Sequence, residues 1–230
     1  MNETRPESAS IFEVRRDVLA RLKRGHPFFL EVHGEIGSTN DRAKVLGASG
    51  APAWTAVLAL RQSKGRGRLG REFHSPEGGV YLSLLLRPDC GAADAGLFTA
   101  AAAVAVCRAV SALCRLDCGI KWPNDLLLGG KKVCGILTEA AIGQNGRFDF
   151  VVIGVGLNLY PPTGGFPQKL PNAGALFLDG ESGASFAGAA AALLNALHAQ
   201  LFDMPHRRFL SEYRERSVLT GKSVLVLQSG

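Results

Sequence analysis

The sequence predicts an α+β fold, a mixed β-sheet backed by helices. Three observations predict it. Most segments that read as strands are joined by loops and hairpins rather than by regular helical crossovers. Two apolar runs flank Gly129-Gly130, which signals a hairpin. The Ala-rich stretch Leu97 to Leu116 is apolar over much of its surface and needs packing on both sides.

The elements follow in order. Ser10-Ile11-Phe12-Glu13 has the capping-box pattern, and Ile11, Val14, Val18 and Leu22 then recur at helical spacing, with Gly25 as a stop. Phe28 to Ile36 reads as a strand. Gly37-Ser38-Thr39-Asn40 can cap a short helix reaching about Leu46. Thr55 to Leu60 reads as a buried strand, residues 61–79 as a Gly-rich basic loop, and Val80 to Leu86 as another strand ended by Arg87-Pro88. Leu126 to Leu128 and Val133 to Thr138 form the hairpin, with Lys131 and Lys132 blurring its register. Phe148 to Val155 is a further strand. Tyr160 to Gly183, rich in Pro and Gly, is a long loop. Phe186 to Phe202 and Arg207 to Arg216 are helices, and Lys222 to Gln228 starts a strand.

The 230 residues suit one catalytic domain with a small appendage and can bury a core without disulfides or metal. A hydrophobic fraction of 47% against 20% charged residues excludes a disordered chain. The net charge of +6 fits a solvated surface and equally an anionic substrate or acidic partner. The polar start MNETRPESAS carries no signal-peptide core, and the apolar run Ala100 to Val106 is too short to span a bilayer. Cys90, Cys107, Cys114, Cys118 and Cys134 are odd in number and lack disulfide or zinc spacing, which predicts reduced thiols in a cytoplasmic protein.

Four segments carry chemistry. Arg61-Gln62-Ser63-Lys64-Gly65-Arg66-Gly67-Arg68-Leu69-Gly70-Arg71 holds five cations and three glycines in eleven positions. Glycines let the backbone approach a ligand, and arginines grip phosphate or carboxylate oxygens with paired donors. Gly65-x-Gly67-x-x-Gly70 matches a dinucleotide fingerprint, yet Pro76 and Gly78-Gly79 leave no helix behind it. A nucleic-acid patch and a solvated loop remain as other readings of this run. Lys121-Trp122-Pro123-Asn124-Asp125 is at least a tight turn, and the hairpin returns Lys132 and Gly135 near it. Gly37-Ser38-Thr39-Asn40 is a helix cap whose short polar side chains can also hold a ligand group. In Ile153-Gly154-Val155-Gly156-Leu157-Asn158, glycines at a strand end admit a close neighbour and Asn158 can reach a ligand.

Together and in this order, these segments resemble the catalytic domain of biotin–protein ligases, from about Phe28 to about Arg216. The resemblance implies the mixed sheet shared with lipoate ligases and class II aminoacyl-tRNA synthetases. It implies that Ser38, Thr39, Asn40 and Gln62, with Gly65, Gly67 and Gly135, bind biotin. Arg66 and Arg68 would order over biotin and the adenylate phosphate, and Lys132 would contact the biotin carboxylate and the α-phosphate. Arg66, Arg68, Arg71, Phe73, Asn124, Asp125, Lys132 and Asn158 would place ATP. Phe73 stands where many relatives have Trp. Magnesium would arrive with ATP near Asp125, without a fixed protein site. Catalysis would rest on Lys132, Arg66 and Arg68.

The implied substrates are ATP and biotin, and the implied partner is a biotin carboxyl carrier domain of a carboxylase. A lipoate ligase and a non-catalytic biotin-binding protein are the alternatives, and a homodimer is left open. Fewer than forty residues precede Ser38, too few for the winged helix of repressor relatives, so no specific DNA binding is expected. Residues 1–216 form the expected catalytic domain. Residues 217–230 read as the start of a truncated or reduced SH3-like barrel.

Overall fold

The computed structural model describes residues 10–144, 146–178 and 183–225. Helix α1 (Ile11–Arg21) opens on the capping box, with Ser10 and Glu13 closing each other's backbone, and buries Val14 and Val18. Strand β1 (Phe29–Ile36) leads into α2 (Thr39–Ala48), capped by Ser38, and then β2 (Thr55–Gln62) and β3 (Gly79–Leu86) follow. Helix α3 (Ala95–Cys114) precedes β4 (Gly119–Lys121), β5 (Asp125–Leu128), β6 (Lys131–Ile142) and β7 (Phe148–Asn158). Helices α4 (Phe186–Phe202) and α5 (Phe209–Arg216) complete the described elements.

The seven strands lie in the order β1-β2-β3-β7-β6-β5-β4. Strands β1 and β2 are parallel across α2, and every other neighbouring pair is antiparallel. The expected mixed sheet is therefore present. Strand period two divides it into two faces. Leu82 and Leu84 of β3 and Ile153, Val155 and Leu157 of β7 join the main core beneath α1, α3 and α4. On the opposite face Val57, Leu85, Phe150 and Val152 pack under Ala43 of α2. That helix covers half of the face. The other half, with Gly135, Gly154 and Gly156, is left for a site.

Two sequence expectations need correction, and one element was missed. Helix α3 with its preceding turn runs from Ala92 to Cys114, long and apolar enough by composition to cross a membrane, so the run Ala100 to Val106 is only its middle. Its residues Ala101 to Cys107 are nonetheless wholly buried within the protein, between the sheet and α4. Strand β4 escaped the sequence because three residues are too few to show a period. The strand expected at Lys222 to Gln228 shows no regular structure as far as Leu225, and residues 226–228 lie outside the described residues. Before that, Val218 donates its N–H to Ile120 O of β4 (3.0 Å) and packs where Gly119 has no Cβ.

The hairpin at Gly129-Gly130 forms as expected. Both glycines take positive φ (+55° and +80°), the backbone a two-residue hairpin turn requires. A register shift between Leu126 and Leu127 resolves the ambiguity at the lysines: Leu128 faces Lys131 and Leu127 faces Lys132. This places Lys132 beside Asp125.

Candidate active site

A cavity of about 420 Å³ opens on the uncovered half of the sheet. Its walls come from the start of α2, the glycine-arginine loop, the turn after β4, and β6 and β7. Ser38, Thr39, Asn40, Gln62, Arg66, Gly67, Arg68, Arg71, Phe73, Asn124, Asp125, Lys132 and Gly135 all line it. Residues from 38 to 135 are thus brought together. Gly65 lies behind the wall, where a Cβ would stand 2.3 Å from Phe73 O and Ser75 Oγ. Asn158 lines an adjoining cavity of about 250 Å³ instead. Glu72, Phe73, Lys132 and Leu170 belong to both cavities and divide them.

At the α2 end the polar groups are closely paired. Gln62 Oε1 accepts from Thr39 N–H (2.8 Å) and Thr39 Oγ1 (3.0 Å), and Gln62 Nε2 donates to Ser75 Oγ (2.9 Å). Asn40 is buried. Its Nδ2 donates to Glu139 Oε2 (2.9 Å) and Leu137 O (3.3 Å), and its Oδ1 accepts from Ser83 Oγ (2.6 Å). A Cβ on Gly154 would stand 2.1 Å from that Oδ1, so the glycine is what admits Asn40 to the sheet. The amide of Asn40, expected to touch ligand, is spent on joining α2 to β3 and β6.

The glycine-arginine loop is a small hairpin. Phe73 N–H donates to Gly65 O (2.9 Å) and Gly67 N–H to Arg71 O (2.7 Å), while Leu69 and Gly70 at the tip take positive φ. The Phe73 ring packs against the sheet: a Cβ on Gly156 would come within 2.3 Å of it, and one on Gly135 within 2.8 Å. Lys132 Nζ sits 5.6 Å over the same ring.

Lys132 Nζ is 2.6 Å from Asp125 Oδ1. The contact is one of charge, because the geometry is not aligned for a hydrogen bond, and this buried oxygen has no hydrogen-bond partner among the described residues. The Lys132 backbone is clamped from the far side, donating to Asn172 O (2.7 Å) and accepting from Gly174 N–H (2.9 Å). Asn158 Nδ2 donates to Gly174 O (2.8 Å) and so braces that clamp. Asn124 Nδ2 donates to Ile136 O (3.0 Å) across the turn. Arg66 is engaged by two carboxylates, Asp41 (2.5 Å) and Glu139 (3.2 Å). Arg68, Arg71 and Lys121 have no ion pair among the described residues. No group of three His, Cys, Asp or Glu side chains among the described residues is arranged to hold a resident metal.

A family model described as the biotin/lipoate A/B protein ligase family matches residues 35–158, which contain every wall of the cavity except Leu170. The chain belongs to that family. Among its curated members, the bifunctional ligase/repressor BirA of Bacillus spizizenii is 38% identical over 167 residues, covering 72% of this chain and 50% of that protein. The biotin--[acetyl-CoA-carboxylase] ligase of Mycobacterium tuberculosis is 34% identical over 206 residues, 86% of this chain and 74% of that one. The chain spans about half the length of the BirA relatives. Among solved family structures, the Aquifex aeolicus biotin protein ligase in complex with biotin and ATP superposes with a TM-score of 0.68 at 26% identity, covering 84% of this chain and 79% of that one. The Leishmania major biotin protein ligase in complex with biotinyl-5-AMP gives 0.68 at 25% identity, covering 89% and 87%.

Within this family fold, sequence reasoning missed the residues that hold others in place. Glu139 shares the period-two face of Gly135 on β6, and Asp41 follows the Ser-Thr-Asn cap directly, so counting by strand and helix period could have found both. The clamp at 172–174 left no such signal, because it is irregular backbone.

Proposed function

We propose that this chain is the catalytic part of an ATP-dependent biotin–protein ligase. It condenses biotin with MgATP to biotinyl-5'-AMP and passes the biotin to a lysine of a biotin carboxyl carrier domain. The observation that carries the reading is Lys132, a cation at the wall shared by two adjoining cavities that draw lining residues from all four segments.

The chemistry follows from charge. A biotin carboxylate oxygen attacks the α-phosphate, and pyrophosphate leaves; both reactants are anionic. Lys132 and the unpaired Arg68 offset that repulsion and stabilise the charge gathering on the phosphate in the transition state. Magnesium comes as part of the nucleotide, and the Asp125 carboxylate at the cavity wall would face a cation arriving there. The loop hairpin keeps water from the mixed anhydride. The neutral amine of the carrier lysine then attacks the acyl carbon, forming the amide, releasing AMP and giving its proton to solvent. No nucleophile of this chain takes part. Gln62, Thr39 and Ser38 form the polar end that receives the ureido group, and Phe73 offers the nucleotide a ring face. Residues 1–216 are the catalytic domain in this reading and 217–230 the start of an SH3-like one. The five free cysteines support a cytoplasmic setting.

The test combines the protein with MgATP, a carboxylase carrier domain, and biotin or lipoate in parallel, read by mass spectrometry. Biotin alone should appear on the carrier lysine. Lipoate transfer instead would make this a lipoate ligase. Biotin binding without pyrophosphate release would make it a binding protein. Lys132→Ala and Arg68→Ala should each lower the adenylation rate by about 10²-fold or more while the protein stays folded. A near-normal rate in either would remove that residue from the mechanism.

A further inference from the structure

Arg66 and Arg68 stand two residues apart on one loop, yet their surroundings differ. The Arg66 guanidinium spans Asp41 of α2 at 2.5 Å and Glu139 of β6 at 3.2 Å. Lys44 reaches the same two carboxylates at 3.0 Å each. Two acids and two bases close a neutral network, and Asn40 fixes Glu139 from beneath (2.9 Å). Arg68 begins the loop tip, carries no ion pair among the described residues, and is followed by Leu69, which is 83% exposed.

We infer that Arg66 is a strut rather than an anion ligand: Asp41 and Glu139 hold it so that the base of the glycine-arginine loop is pinned across α2 and β6, while Arg68 at the free tip meets the substrate anion. A guanidinium already shared by two carboxylates has fewer N–H donors left for a phosphate, and its charge is largely offset by theirs. An unpaired guanidinium meets neither obstacle. The base of the loop is also tied by main-chain pairing of Arg66 with Glu72, so the strut acts where the hairpin leaves the sheet. Asp41, Glu139 and Lys44 thereby become positioning residues. The inference rests on the ligase reading for its kinetic consequence but not for its structural one.

The strut and ligand roles predict opposite signs for Asp41→Asn. If Arg66 is a strut, freeing it loosens the loop and weakens acid binding. If it is a ligand, freeing it leaves binding unchanged or improves it. The experiment uses Asp41→Asn, Glu139→Gln, Arg66→Ala, Arg66→Lys and the Asp41→Asn/Arg66→Ala double variant. Asp41 is half exposed, and a Gln at 139 keeps an acceptor for Asn40, so both single carboxylate variants should fold. Trypsin cleavage within residues 61–71 should speed up in Asp41→Asn and Glu139→Gln, whose cleavage sites are intact. The biotin KM in pyrophosphate release should rise about fivefold with kcat within about twofold, as expected for a partly exposed charge pair. The double variant should be no worse than Arg66→Ala, since both remove one contact, and Arg66→Lys should recover part of the KM. Unchanged loop cleavage, a lowered KM, or additive losses in the double variant would overturn the strut. Absence of adenylate from the wild-type protein would instead defeat the ligase reading, with the cleavage result still deciding the strut.

Discussion

At the scale of single residues, the site is shaped by side chains that are missing. Gly154 and Gly156 alternate with Val155 and Leu157 on β7, so the glycines face the site while the apolar pair enters the core. Gly154 makes room for Asn40, and Gly156 for Phe73. Gly156→Ala would set a Cβ 2.3 Å from the Phe73 ring. The ring must lift, taking with it the surface under Lys132, at a cost of about 1–3 kcal/mol in unfolding free energy. Denaturant unfolding should show that loss, and Phe73→Ala on the same background should reduce it. Unchanged stability in Gly156→Ala would mean that Phe73 does not rest there. The sequence displayed these glycines and their spacing, but not which neighbour each admits.

At the scale of elements, α2 is held to the sheet by charge as well as by Ala43. Arg42 grips Glu31 of β1 through two hydrogen bonds (2.7 and 3.0 Å), which lower the Glu31 carboxyl below its ordinary value against the opposing effect of burial. Burial also opposes ionisation of Asp41 and Glu139. Hydrogen bonds outweigh it, from Lys44 and Arg66 to Asp41 and from Asn40 and Lys44 to Glu139, and both carboxyls are held low. A carboxyl depressed in the folded state adds stability above its unfolded value, near pH 4, and loses it as pH falls through the folded value. Thermal unfolding should therefore hold its midpoint from pH 7 to about 5 and fall below about pH 4. Glu31→Gln should lower Tm at pH 7 by about 2–4 °C and flatten the acid drop. A variant with the wild-type pH profile would show that this pair contributes nothing. The capping box of α1 and the cap of α2 were legible in the sequence because both lie within four residues. The ion pairs of Arg42 and Arg66 were not, because their partners lie 11 to 73 positions away along the chain, Glu31 from Arg42 at the short distance and Glu139 from Arg66 at the long one.

At the scale of the whole molecule, burial decides how the cysteines behave. Cys107, Cys118 and Cys134 are buried, while Cys90 and Cys114 are partly exposed. Burial pushes the thiols of Cys107 and Cys118 up to about 12 and that of Cys134 well above its ordinary range, leaving almost no thiolate at neutral pH. A thiol reagent at pH 8 should titrate Cys90 and Cys114 first and reach the other three only in denaturant. Rapid labelling of Cys134 in the native protein would mean that β6 opens locally beside Lys132.

The sequence by itself determined the fold class, nearly every element, the hairpin at Gly129-Gly130 and the four segments that meet in the cavity. Those features are local: caps, periods of 2.0 and 3.6, turn glycines and cation-glycine runs are written in neighbouring residues. Only the tertiary structure decided the strand order, the clamp of residues 172–174 on Lys132, the commitment of Asn40 and Asn158 to internal partners, and the pairing of Arg66 with Asp41 and Glu139. Each depends on which strands lie side by side, and adjacency in a sheet is set by the global packing of the core, which no short stretch of sequence contains.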